Sequence, residues 1–155
     1  MPASFLMGLA LLLAGCGSDI PSSAVTTGRT LDCQVFQSTT VGVGVNRIFD
    51  LNIGGRTCSA SGCHSVFAGS GGAFKIYPNA VLNSQEMQAN YFAALGFSNL
   101  GAPANSKLLL EPLAGAQSIV GAHTGGDIFT GGEPEYMTML TWISTQITGP
   151  SSCIP

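Results

Sequence analysis

The stretch Cys58-Ser59-Ala60-Ser61-Gly62-Cys63-His64 constrains this chain more than any other. Two cysteines with a histidine directly after the second form the pattern by which a c-type heme is attached: each thiol joins a heme vinyl group and the histidine ligates the iron. The common form has two residues between the cysteines, whereas this one has Ser59 to Gly62. Such a chain has to fold around a flat apolar group, leave the cytoplasm and offer a second iron ligand. The cofactor expected is one covalent heme c, held by Cys58, Cys63 and His64.

The N-terminus speaks to export. Phe5 to Leu13 is an apolar run too short to span a bilayer as a permanent helix and suited to the core of an export signal. It ends in Leu13-Ala14-Gly15-Cys16, which resembles the lipobox of bacterial lipoproteins. That resemblance implies a signal peptide over 1–15, cut before Cys16, and lipidation of Cys16; Met1-Pro2-Ala3-Ser4 departs from it by lacking Lys and Arg. Gly17 follows the cysteine where an aspartate would retain the protein at the inner membrane, so the same resemblance implies an exported, lipid-anchored protein of the outer membrane, on its periplasmic face or at the cell surface. Ser, Thr, Gly and Pro dominate from Gly17 to Arg29, so 16–29 reads as a flexible tether and 30–155 as the folded domain.

Five cysteines leave one over in any scheme of disulfides alone. With Cys16 lipidated and Cys58 and Cys63 on heme, Cys33 and Cys153 remain near the two ends of the domain. A disulfide between them is expected, because export places the chain where such bonds persist. Two rivals use the same residues. Cys58, Cys63, His64 and His123 have the composition of a zinc site, but neighbouring side chains such as Cys63 and His64 diverge and seldom meet one tetrahedral metal. Cys58 and Cys63 also read as a redox-active disulfide.

Along the chain, Val41 to Val45 suggests an extended segment, and Asn46 to Asn52 a short helix stopped by Gly54-Gly55. Gly69 to Gly72 is a turn before an extended Ala73 to Tyr77. Asn83 with Glu86 marks a helix start, with Met87, Tyr91, Ala94 and Leu95 at helical spacing until Gly96. The clearest helix begins at Pro134, carries Tyr136, Met139, Leu140, Ile143 and Ile147 on one stripe, and ends at Gly149-Pro150. The fold class expected is mostly α: a small cytochrome c-like domain with short helices and long Gly-rich loops around one heme.

For the second axial position the candidates are His123, Met87, Met137 and Met139. Met139 and Met87 sit on helical stripes, where a core methionine is the commoner outcome. His123 lies among glycines that let the backbone approach a flat ring.

Ser106-Lys107-Leu108-Leu109-Leu110, then His123-Thr124-Gly125-Gly126-Asp127-Ile128-Phe129, then Tyr136, Leu140, Trp142 and Ile143 resemble small monoheme c-type cytochrome domains of the bacterial periplasm and cell surface. The resemblance covers roughly 46–148 and implies His123 as the distal ligand. Relatives place either histidine or methionine in that loop, and the four-residue spacing resembles variants from metal-reducing bacteria.

The function expected is therefore single-electron transfer by one heme, not an enzymatic reaction, since two filled axial positions leave none open. Partners expected are other redox proteins, chiefly cytochromes, and the membrane through the lipid. The chain has no basic patch and a formal charge of -3, which removes the electrostatic drive for nucleic acid. Charged residues make up only 8% of the chain against about 25% in ordinary soluble domains, so little repulsion opposes self-association. Two alternatives stand beside this reading: a heme-bearing subunit of a surface conduit or polymer, and a heme enzyme or sensor if the distal position is open.

Overall fold

The structure, a computed structural model, describes residues 28–115 and 123–155. The signal segment, Cys16, nearly all of the 16–29 tether, and Gly121 and Ala122 lie outside the described residues. In chain order the elements are strand β1 (Arg29–Leu31), helices α1 (Cys33–Phe36), α2 (Asn46–Asp50) and α3 (Gln85–Gly96), a 3-10 turn (Pro103–Asn105), helices α4 (Lys107–Leu110) and α5 (Pro134–Ser144), and strand β2 (Gln146–Thr148). No helix among the described residues is long and apolar enough to cross a membrane.

A mostly α fold is not what forms. Among the described residues the domain is a small mixed α/β unit, 33% helical and 10% strand when isolated bridges are counted with β1 and β2. The difference arises where the chain ends meet. β1 pairs antiparallel with β2, Thr30 opposite Ile147. Helix α5 therefore stops at Ser144 instead of running to Gly149, and Ile147 leaves the helical stripe for the sheet. Thr145, Ile147 and Thr148 are β-branched and sit more easily in extended backbone than in a helix.

Beside this sheet the disulfide Cys33–Cys153 closes a loop of 120 residues, its Cα atoms 5.1 Å apart and both cysteines fully buried. The core packs against it: the Phe36 ring lies 5.2 Å from Trp142 and 5.7 Å from Tyr91. The polar tips of Trp142 and Tyr91 are satisfied by β1 and by the residue that caps α1, Trp142 Nε1 donating to the Asp32 carbonyl (2.9 Å) and the Tyr91 hydroxyl to that of Leu31 (2.7 Å). Asn90, also buried, links three segments. Its amide donates to Asn46 Oδ1 and the Tyr77 carbonyl and accepts from the Tyr77 amide. This fastens α3 to α2 and to the chain that follows the cysteine–histidine motif.

Local details depart from the pattern in the sequence. Ser84, not Asn83, caps α3, its Oγ accepting from the Met87 amide, while Asn83 adopts φ 60° and bonds Gln37. Residues 41–45 form turns because Val45 bonds back to the Phe36 carbonyl. At the start of α5 the Glu133 carboxylate accepts from the Thr130 hydroxyl and amide and from the Gly131 amide, which hold its pKa down to about 2. A depressed acid pKa stabilises the fold above its unfolded value and loses that contribution as pH falls through the folded one. The stability gap between wild type and Glu133→Gln is therefore expected to be widest above pH ~4.5 and to close towards pH ~2, measured by thermal melts across that range.

Candidate functional site

A tight hairpin delivers the chain to the cysteines. Ile53 and Arg56 exchange both backbone hydrogen bonds (2.8 and 3.1 Å) across Gly54 and Gly55, whose φ values of 60° and 84° are those of a type I′ turn. Beyond it, the four residues between Cys58 and Cys63 close on themselves. The Cys63 amide donates to Ala60, the His64 amide returns to the Cys58 carbonyl (3.0 Å), and the Ser59 amide is anchored on Phe49 at the end of α2. The longer spacing is thus absorbed in a turn that keeps Cys58 and His64 adjacent. Both thiols are free and half-buried.

His64 is fixed from its far side. Nδ1 lies 2.9 Å from the Phe74 carbonyl, which can only accept, so the proton is on Nδ1 and Nε2 carries a lone pair. The His64 carbonyl accepts from Ile76 in the short parallel pairing of Ser65 with Ile76. Phe74 meets the imidazole edge-on at 4.9 Å. Burial pushes the His64 pKa down, the hydrogen bond to Phe74 opposes it, and the nearby His123 adds to the depression, which favours a neutral ring. Burial also pushes the Cys58 thiol up to about 11.

His123 is held in the same manner in a turn of its own. Its Nδ1 donates to the Gly126 carbonyl (3.0 Å), and the Gly126 amide donates back to the His123 carbonyl (2.6 Å). In the neutral ring this tautomer leaves the lone pair on Nε2. The two imidazoles, 59 residues apart in sequence, stand 5.8 Å apart between centroids with ring planes 14° from parallel.

Both rings and both thiols line one cavity of about 460 Å³. Its other walls are largely apolar, with Phe49, Phe74, Phe97, Leu108, Ile128 and Phe129 among them. That volume lies in the range of small-molecule and cofactor sites. Met139 reaches the wall from α5. Met87 is buried in the core away from it, and Met137 is 46% exposed on the opposite side of the helix. Cys33 and Cys153 are remote from the cavity, in the disulfide, and Cys16 is outside the described residues.

No protein-family model, curated protein or solved structure matches the chain. The resemblance to small monoheme c-type cytochrome domains is corrected on that ground, and the residues that carried it have other work here. Trp142 belongs to the core at the disulfide end. Ser106 caps a turn, its Oγ accepting from the Asn99 amide and donating to the Pro103 carbonyl. Among the described residues, no group of three or more His, Cys, Asp or Glu side chains is placed to hold a metal ion. Cys58, Cys63, His64 and His123 line the same cavity, the two histidines as a near-parallel pair.

Arg56 on this wall was not singled out by motif. Its signal was available: it is one of only five Lys and Arg residues and stands two positions before Cys58.

Proposed function

We propose that this chain is an electron-transfer protein holding one covalent heme, with Cys58 and Cys63 as the attachment thiols, His64 as the proximal ligand and His123 as the distal one. The observation that carries the reading is the pair of near-parallel imidazoles on one cavity, their centroids 5.8 Å apart, each with Nδ1 tied to a carbonyl. An imidazole nitrogen sits roughly 2 Å from a first-row metal ion, so two rings bound from opposite sides have centroids about 6 Å apart. The 5.8 Å separation accords with that distance. An iron in a porphyrin has only two further positions to fill, so a facing pair is the relevant measure, and not a cluster of three ligands. Bound there, the heme would supply an iron that passes between ferric and ferrous states.

The chain's own residues do the rest. The carbonyls of Phe74 and Gly126 fix the tautomer and orientation of each histidine. Phe49, Phe74, Phe97, Leu108 and Phe129 keep water from the ring faces. Ser59 and Gly62 sit in the turn that sets the two thiols. The reading places the protein outside the cytoplasm, anchored to the outer membrane by lipid on Cys16, exchanging electrons with other redox proteins. The Cys33–Cys153 disulfide supports export, because such bonds persist in oxidising compartments.

The direct test is a pyridine hemochrome spectrum of the protein purified from an exporting host with heme-attachment machinery. Absence of a covalent heme signature would end the proposal. His123→Met is expected to raise the midpoint potential by on the order of a tenth of a volt, within the roughly 0.8 V that axial ligands span. An unchanged potential and spectrum would remove His123 from the iron.

A further inference from the structure

We propose that Arg56 is the positioning residue of the distal histidine, a latch that joins the hairpin leading into the thiol turn to the turn carrying His123. The inference rests on the heme reading above for its consequence, and on geometry for its existence. Arg56 is anchored at its backbone by the two hydrogen bonds to Ile53 across the Gly54-Gly55 turn. Its side chain lines the cavity and donates from Nη1 to the Asp127 carbonyl (3.3 Å). The guanidinium lies against Gly126, which has φ 79°; a Cβ there would stand 2.6–2.7 Å from Nη2, Cζ and Nε. Gly126 is in turn the residue that grips His123, by its carbonyl on Nδ1 and its amide on the His123 carbonyl.

The backbone at Gly126 favours glycine, and the open space beside it takes the guanidinium. That backbone lies in the left-handed region that side chains disfavour, and the missing Cβ is where the guanidinium lies flat. A planar fork suits that surface better than an ammonium on a flexible stem. The consequence is a distal ligand whose turn is braced from the proximal side of the cleft. Without the brace, His123 spends more time away from the iron, and an exogenous ligand that needs the distal position gains access in proportion.

The test reads two quantities on the full-length exported protein: hydrogen exchange of the Gly126 amide, and carbon monoxide uptake by the ferrous form. Losing a hydrogen bond from a charged donor makes an opening about tenfold more frequent. Arg56→Ala is therefore expected to speed both by about that factor. Arg56→Lys keeps the charge and loses the fork, so it is expected to follow Arg56→Ala. Gly126→Ala displaces the guanidinium, and adding Arg56→Ala to it is expected to change nothing more. Rates in Arg56→Ala equal to wild type would overturn the latch. So would a wild-type Arg56→Lys beside a fast Arg56→Ala, which would assign the effect to charge, or an additive double variant. Should the isolated protein carry no heme, the functional reading fails, while Gly126 exchange still decides whether Arg56 braces the His123 turn.

Discussion

On the proposed heme reading, exchanging Cys58 and Cys63 together for serine is expected to abolish covalent attachment: after denaturation and acid-acetone extraction, all heme should leave the polypeptide. The single variants should each retain it through one bond, with a hemochrome band displaced to longer wavelength because one vinyl group stays conjugated. The argument is positional. The turn returns the His64 amide to the Cys58 carbonyl, and both cysteines line the cavity beside the His64 imidazole. Cys58 is protonated at neutral pH because burial pushes its pKa to about 11, and the thiolate, not the thiol, drives disulfide exchange. Mass spectrometry of the intact protein would show the loss of one heme mass. A double-serine variant that still carried heme through extraction would exclude these thiols as the attachment.

Removing the other cysteine pair is expected to act on stability and not on attachment. Cys33 and Cys153 close a loop of 120 residues, for which chain entropy alone gives about 5 kcal/mol, although measured values often fall below this. That is comparable to the whole stability of a small domain, which is typically about 5–15 kcal/mol. The bond also holds the ends where β1 meets β2, where the Cys33 amide reaches Ser151 Oγ and where the Cys153 amide reaches Gln88. Cys33→Ala with Cys153→Ala should therefore lower the urea midpoint sharply, and wild type in strong reductant should do the same. Reductant cleaves a disulfide and leaves a thioether intact, so heme should stay attached as stability falls. A loss under about 1 kcal/mol would mean that the sheet and the Phe36–Tyr91–Trp142 cluster hold the ends without the bond.

Local patterns account for what could be read before folding. The stripe of Met87, Tyr91 and Ala94 and the Pro134 start of α5 are one-dimensional signals, and both helices form. The Cys33–Cys153 pair was legible by subtraction, once the other cysteines had been given roles. Where the reading failed, a distant partner had intervened. Ile147 fits the α5 stripe, but Thr30 lies opposite it and a three-residue strand forms instead. Asn83 has the composition of a cap, but Gln37 holds it through both its amide and side chain, and Ser84 caps α3. Trp142 and Ser106 suggested a family through short matches, yet they serve packing and capping that many folds require.

Residue types and their spacing are enough to say which side chains are able to do chemistry: two thiols, a histidine directly after the second, and another histidine among glycines. Only the tertiary structure brought His64 to 5.8 Å from His123, laid Arg56 across Gly126 and enclosed the cavity between them. The physical reason is range. Periodicity, caps and turns report on neighbours within a few residues, whereas the facing imidazoles depend on how α2, α3 and the disulfide-closed ends fix the distance between two turns far apart in the chain.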